Sequence, residues 1–338
     1  MSMNYKKLLI RATVSFSFLI VIFVALVWFT TFHPAEVQAE PVNCTKPAPL
    51  LQEGQGLKTL VWNVQFMAGK DYVFWFDVPG NDGPDERPSP ENITRTIESV
   101  ARVIQEENPD IILLQEIDIG AERTDHEDQL ARLLALISSD YICSTSAFYW
   151  KASYVLHARV HGAVWLSTAI VSKYRISTAK RHQLALDPNN WLHQQMNTKR
   201  AVLEARLPIE QGGEFVALNT HLDAFSQGSN TMELQVTKVN SLLASLTNLS
   251  VAWVIGGDFN LLPPDNASYQ RLPVSHQSYY NSYTENESLY ATYQDVPSME
   301  EVSGAGFQQG FGHYPSDSVN RSPDKTKDYR FFDITIQI

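Results

Sequence analysis

Val251-Ala252-Trp253-Val254-Ile255-Gly256-Gly257-Asp258-Phe259-Asn260 decides the reading of this chain. A short β-rich apolar run passes through two glycines and breaks into polar residues capable of chemistry. Short apolar runs bounded by turn residues read as strands of a buried sheet. The same grammar recurs three more times. Leu60-Val61-Trp62 runs into Asn63, Ile111-Ile112-Leu113-Leu114 into Gln115 and Glu116, and Phe215-Val216-Ala217-Leu218 into Asn219-Thr220-His221. Strand ends are where α/β proteins build sites, because strands fix position and loops supply reactive atoms.

Between these runs, helical periodicity predicts helices over Asn92 to Asn108, Asp128 to Ile137 and Met232 to Leu246, each laying one apolar stripe on a sheet. Gly69 to Pro90, with Asp71, Asp77, Asp82 and Asp85, reads as a long loop beside Asn63, at a pocket rim or in solvent-facing packing. With no internal repeat and no second shift in composition, a single α/β domain over residues 58–338 is the simplest organisation.

Residues two apart on an extended chain point the same way. Asp258 with Asn260, and Asn219 with His221, are therefore each expected to address one ligand. Asn63, Glu116, Asp258 and Asn260 are oxygen donors, which suits a hard cation such as Mg²⁺ or Mn²⁺. Taken singly, each reads more readily as a helix cap or turn residue, and His221 as structural. Four such endings in one chain make a site the better reading.

The N-terminus has a different character. Ala12 to Phe32 carries no charge and approaches the roughly 20 apolar residues that cross a bilayer as a helix. Lys6, Lys7 and Arg11 precede it, so the positive-inside bias predicts export of everything that follows. Residues 1–32 are thus expected to be a signal anchor, or a signal peptide cut at the small-residue site Val37-Gln38-Ala39. Pro- and Gln-rich residues 33–57 suit a linker. The domain is expected in the periplasm or outside the cell, anchored to the membrane or secreted if cleaved.

The formal net charge is −11. Residues 1–39 hold Lys6, Lys7, Arg11 and Glu36, a net +2, so the remainder carries −13. Such a body has little long-range attraction for a polyanion, which disfavours avid nucleic-acid binding. Cys44 and Cys143 can pair in an exported chain, and two separate thiols fit the sequence equally well. Neither lies at zinc-site or C-x-x-C spacing. There is no G-x-S-x-G elbow, no H-E-x-x-H and no Walker loop.

Trp62-Asn63, Leu114-Gln115-Glu116, Asn219-Thr220-His221-Leu222, Gly257-Asp258-Phe259-Asn260 and Asp328-Tyr329, in this order and spacing, resemble the endonuclease/exonuclease/phosphatase superfamily. That superfamily includes pancreatic-type deoxyribonuclease, apurinic endonucleases, neutral sphingomyelinases and inositol polyphosphate 5-phosphatases. The resemblance runs from about Lys58 to Tyr329. It implies a four-layer α/β sandwich, two mixed β-sheets packed face to face with helices outside. It also implies Mg²⁺ or Mn²⁺ held by Glu116 and supported by Asn63, phosphoryl oxygens held by His221 and Asn260, and Asp258 orienting or deprotonating the attacking water. In-line displacement at phosphorus needs these functions in any case.

One departure stands out. The family's aspartate matching Asp328 orients a histidine in a later Ser-Asp-His strand, whereas here no histidine follows His313 before Ile338. A truncated or frameshifted C-terminus is the favoured expectation, with replacement by His276 or His313, or loss of catalysis, as the others. The function expected is a monomeric, membrane-tethered phosphoesterase cleaving a phosphodiester or phosphomonoester. An exported nuclease and a non-catalytic phosphate-binding domain are the alternatives.

Overall fold

The computed structural model describes residues 5–69, 72–75, 83–155, 157–160, 162–224, 229–260 and, as backbone, 330–335. Helix α1 (Tyr5–Thr30) is exposed along nearly all its length, with Val27 buried at its end. By length and composition it is able to cross a membrane. The body is built from strands β1 (Val37–Glu40), β2 (Val42–Cys44), β3 (Gly56–Asn63), β4 (Ile111–Asp118), β5 (Cys143–Val155), β6 (Gly162–Ser172), β7 (Thr178–Gln183), β8 (Ala201–Pro208), β9 (Glu214–His221), β10 (Ala252–Asp258) and β11 (Arg330–Thr335). Helices α2 (Pro90–Glu107), α3 (Gln129–Leu136), α4 (Trp191–Met196) and α5 (Thr231–Asn248) complete it.

Two mixed sheets result. One has the order β1-β7-β8-β9-β10 and the other β11-β3-β4-β6-β5-β2. The pairs β3/β4 and β9/β10 are parallel and the rest antiparallel. The sheets pack face to face through Val61, Leu113 and Ile170 on one side and Leu203, Ala217 and Val254 on the other. Outside, α2 and α3 place Ile97, Ile104 and Leu133 on β3 and β4, and α5 places Val236, Val239 and Leu243 on β9 and β10. This is the four-layer sandwich expected from the motifs.

The helices sit where the periodicity places them, each within a few residues, and their ends have local causes. Ser89 caps α2 by accepting from the Asn92 N–H, and Asn108 ends it in the left-handed region at φ 47°. Asp128 caps α3 through the Ala131 N–H.

The expected linker over residues 33–57 is different in the structure: folded structure begins at Val37, well before Lys58. Strand β1 pairs with β7, β2 pairs with β5, and Leu51 is fully buried and bridged to Ile209. Cys44 and Cys143 form a disulfide, which resolves the two readings left open for them. Strands of three and four residues are too short to print a period on a Pro- and Gln-rich sequence. At the other terminus, β11 runs antiparallel along β3, from Arg330 opposite Val61 to Thr335 opposite Gly56.

The glycine pair of β10 lies at close approaches of the backbone to its neighbours. A Cβ on Gly256 would lie 2.5 Å from Val61 Cγ2 and 2.8 Å from Leu113 Cδ1, both in the opposite sheet. A Cβ on Gly257 would lie 2.1 Å from the Thr220 carbonyl oxygen. The glycines that the sequence shows as a break in an apolar run are thus close-approach positions between sheets and between strands. Gly256→Ala should destabilise the domain by about 1–3 kcal/mol through overpacking, read as a lower urea midpoint with an unchanged slope.

Candidate active site

The ends of β3, β4, β9 and β10 meet at one end of the sandwich, which we call the mouth. Asn63 stands opposite Gln115 across β3/β4, and Asp258 opposite His221 across β9/β10. Strand β4 would turn alternate residues to alternate faces, but its register shifts between Leu114 and Ile117, and Glu116 sits in the left-handed region at φ 59°. A bulge of this kind re-aims a side chain at a strand end. Gln115 keeps the inward direction that alternation with Ile111 and Leu113 gives it, and the bulge turns Glu116 to the mouth.

There the groups converge. Asn63 Nδ2 donates to Glu116 Oε1 at 2.9 Å and to Asp258 Oδ2 at 2.8 Å. One carboxamide thus joins carboxylates from two different sheets. Its Oδ1 accepts from the Gln65 N–H at 3.0 Å, which holds the amide in that orientation. The His221 ring lies between the same carboxylates, Nδ1 3.8 Å from Glu116 Oε1 and Nε2 3.8 Å from Asp258 Oδ2. Asp258 Oδ1 accepts from the Asn260 N–H at 3.0 Å.

Two expected pairings are not found. Asn219 and His221 do not share a ligand: Asn219 is buried between the sheets, donating to the Leu114 and Ala169 carbonyls and accepting from Gln115 Nε2 at 2.6 Å. The sheets meet at Asn219, so only His221 of that pair reaches the mouth. Asp258 and Asn260 are not two residues of one extended run either. Strand β10 ends at Asp258, and Asn260 is left-handed at φ 51° with its amide on the Leu222 carbonyl at 2.9 Å. Asp328, His276 and His313, and with them Asp71, Asp77 and Asp82, lie outside the described residues. Asp85 fixes the loop locally by accepting from the Val73 N–H.

Three further side chains that strand-end motifs do not reveal are buried beside these groups. The Tyr149 ring meets His221 edge-on at 5.4 Å between centroids. Burial, reinforced by the Glu116 charge, pushes its phenol well above the ordinary tyrosine range. Arg200 Cζ lies 4.9 Å from the Tyr149 ring centroid. Arg200 is buried, and its Nε and Nη1 meet no hydrogen-bond acceptor among the described residues. Arg123 is engaged with Asp118 through Nε at 2.7 Å and Nη2 at 2.9 Å. Burial would lower this guanidinium, but Asp118 outweighs it and the net direction is up. The available signal was Lys199-Arg200, a basic pair immediately before the apolar strand β8.

The donor set fits a hard cation of one kind. Among the described residues no three His, Cys, Asp or Glu side chains gather into a cage, so a closed all-protein site is not formed. Mg²⁺ is commonly held by one or two carboxylates, keeping waters for its other positions. Glu116, partly exposed at the mouth, suits that habit. Asn63, expected as a metal-site residue, has its oxygen on a backbone N–H and its amide nitrogen on Glu116 and Asp258.

A model of the Endonuclease/Exonuclease/phosphatase family matches residues 60–323. The chain belongs to that family. Among solved structures it resembles an endonuclease/exonuclease/phosphatase from Beutenbergia cavernae, at 21% identity over 71% of this chain and 54% of that one, TM-score 0.45. It also resembles the human Nocturnin catalytic domain with bound sulfate anion, at 15% identity over 77% and 73%, TM-score 0.41. A third likeness is to the Bacteroides thetaiotaomicron mannosyl-6-phosphatase Bt3783, at 13% identity over 63% and 68%, TM-score 0.38. The chain spans about half the length of the Beutenbergia protein. Among curated protein sequences none matches it. Family members are phosphoesterases or nucleases and generally use divalent metals.

Two measurements follow from this geometry. Asn63→Ala leaves two carboxylate oxygens without their shared donor and should cost about 1–3 kcal/mol, seen by denaturant melting. Lys199 caps the end of α4 through the Gln194 and Gln195 carbonyls. Burial, with the nearby Arg181 cation, lowers its ammonium to about 8. Unfolded, it titrates near the ordinary lysine value of about 10.4, so between these values the unfolded state binds more protons and stability rises with pH. The urea midpoint should climb from pH 8 towards pH 10, and Lys199→Met should flatten that climb.

Proposed function

We propose that this chain is an exported, membrane-tethered, divalent-metal-dependent phosphoesterase that hydrolyses a phosphodiester or phosphomonoester by in-line attack of water. The observation that carries the reading is the Asn63 amide bridging Glu116 and Asp258, with His221 between the same two carboxylates. Family membership supports hydrolysis of a phosphate ester and leaves the particular ester open.

Glu116 would hold Mg²⁺ or Mn²⁺, which when bound neutralises charge on the phosphoryl oxygens. Asn63 fixes the Glu116 carboxylate and removes its rotational freedom. Asp258 is held at both oxygens by N–H donors, which orients it to accept a proton from the attacking water. His221 donates an N–H to a phosphoryl oxygen, and the left-handed turn at Asn260 leaves its carboxamide to line the same wall. Arg200, buried beside Tyr149 with two guanidinium nitrogens unengaged by described residues, supplies a fixed positive charge for the phosphate, a larger effect in a poorly solvated site than in water.

The fold supports retention of α1. The candidate cleavage site Val37-Gln38-Ala39 lies within β1, paired residue by residue with His182, Arg181 and Lys180 of β7. Cutting there would remove most of a strand from the sheet.

Hydrolysis of bis(p-nitrophenyl) phosphate by the full chain should need Mg²⁺ or Mn²⁺ and stop in chelator. Glu116→Gln, Asp258→Asn and Arg200→Met should each lower kcat/KM by about 10²–10³. Undiminished turnover in chelator, or in Glu116→Gln, would falsify the assignment.

A further inference from the structure

We infer that the domain sits mouth-down on the bilayer that α1 crosses, so that its substrates are phosphate esters borne by lipids of that membrane. The inference rests on the tethering proposed above and deepens it by assigning the source of the phosphate.

Val37, His182, Val202, Thr220 and Gly257 form one continuous rung across β1, β7, β8, β9 and β10. The next rung holds His221 and Asp258. Strand β1 runs away from that end, because Val37 pairs with His182 and Glu40 with Ala179. The chain therefore enters the domain at the level of the site. Residues 31–36 span at most about 20 Å even when extended, so α1 ends close by.

Contacts bring it closer still. Thr31 forms a β-bridge to Ala152, which pairs with Val164, two residues mouthward of the Leu166 that faces Asp118. The Phe32 ring lies 5.4 Å from Arg181 Cζ, and Trp28 stacks on His33 at 3.8 Å. The end of the helix is packed on the rim of the mouth, and the disulfide fixes the segment that follows β1. The tether has no slack with which to turn the mouth away from the bilayer.

The surface agrees. Outside α1, the exposed large apolar side chains at the mouth end, among the described residues, are Val37, Val73, Tyr154, Leu186, Trp191 and Leu234, against Leu136 and Leu249 at the far end. Tyr154 is 57% and Trp191 44% exposed. Tyrosine and tryptophan favour the headgroup layer, where a polar edge and an apolar ring are both accommodated. A lipid phosphate in that layer would stand opposite Glu116, His221 and Arg200. A free ester in bulk water would have to enter along the membrane plane.

The test uses the full chain in phosphatidylcholine vesicles. The two native cysteines are consumed in one disulfide, so a thiol at Tyr154→Cys, Trp191→Cys or Leu249→Cys can be labelled alone with a small fluorophore. Lipid nitroxides should quench the labels at 154 and 191 at least twofold more than the label at 249, and aqueous iodide should show the reverse order. A phosphodiester-headgroup lipid should be cleaved at least tenfold faster in the protein's own vesicles than in separate ones. Equal or reversed quenching overturns the orientation. Mouth-down labels with no preference for lipid in the same vesicle overturn the lipid substrate. Failure to float with vesicles overturns the inference and the tether but leaves the phosphoesterase reading intact, whereas mouth-down labels with no turnover on any ester overturn that reading together with the lipid substrate, and leave the orientation standing.

Discussion

The arrangement depends on an amide contact between the sheets. Asn219, buried on β9, closes its carboxamide on the Leu114 and Ala169 carbonyls and on Gln115 of the facing sheet. Apolar packing between sheets is tolerant of sliding, because dispersion has little directional preference. Hydrogen bonds at 2.6–2.8 Å have strong directional requirements and are costly to leave unmade in a dry interior. They hold β4 and β9 at one offset, and with that offset Asn63 reaches both Glu116 and Asp258. An error of one residue in that offset would leave the carboxylates of the two sheets out of reach of a common amide.

The same contact shows which polar groups belong to architecture and which to chemistry. Asn219 and His221 are near neighbours at one strand end, yet one is wholly enclosed and the other opens on the mouth. Alternation with Ile111 and Leu113 already sends Gln115 between the sheets, whereas the bulge between Leu114 and Ile117 takes Glu116 off the helix-covered face of Ile112 and Leu114 and returns Ile117 to it. The backbone irregularities at Glu116 and Asn260 both occur where β4 and β10 stop being regular strands, as expected where local geometry is set by the site more than by the sheet.

Much of this was readable in the chain. The four apolar runs and the helix stripes lead to an α/β domain with Asn63, Glu116, His221 and Asp258 at strand ends, and the resemblance carried by the motifs supplies the four-layer sandwich. Those features are legible because burial imposes a period, and strands and helices of ordinary length repeat it. Strands β1 and β2 were not legible, being shorter than any period and stabilised by partners more than a hundred residues away or nearly so. Arg200 and Tyr149 were hidden for a different reason: each is a single side chain whose role depends on the Tyr149–His221 contact across the two sheets. The division of labour between Asn219 and His221 depends on depth within the sandwich, which spacing does not encode.

The short ribbon β1-Pro41-β2 has a consequence for the solubility of the body. It supplies an outermost strand of each sheet, β1 beside β7 on one and β2 beside β5 on the other. Unpaired N–H and C=O rows on such margins recruit strands from other molecules. One peptide segment therefore puts a short margin beside a longer one on each sheet, four residues on β7 and three on β5, and trimming the chain to its motif-bearing region would uncover β7 and that end of β5 together.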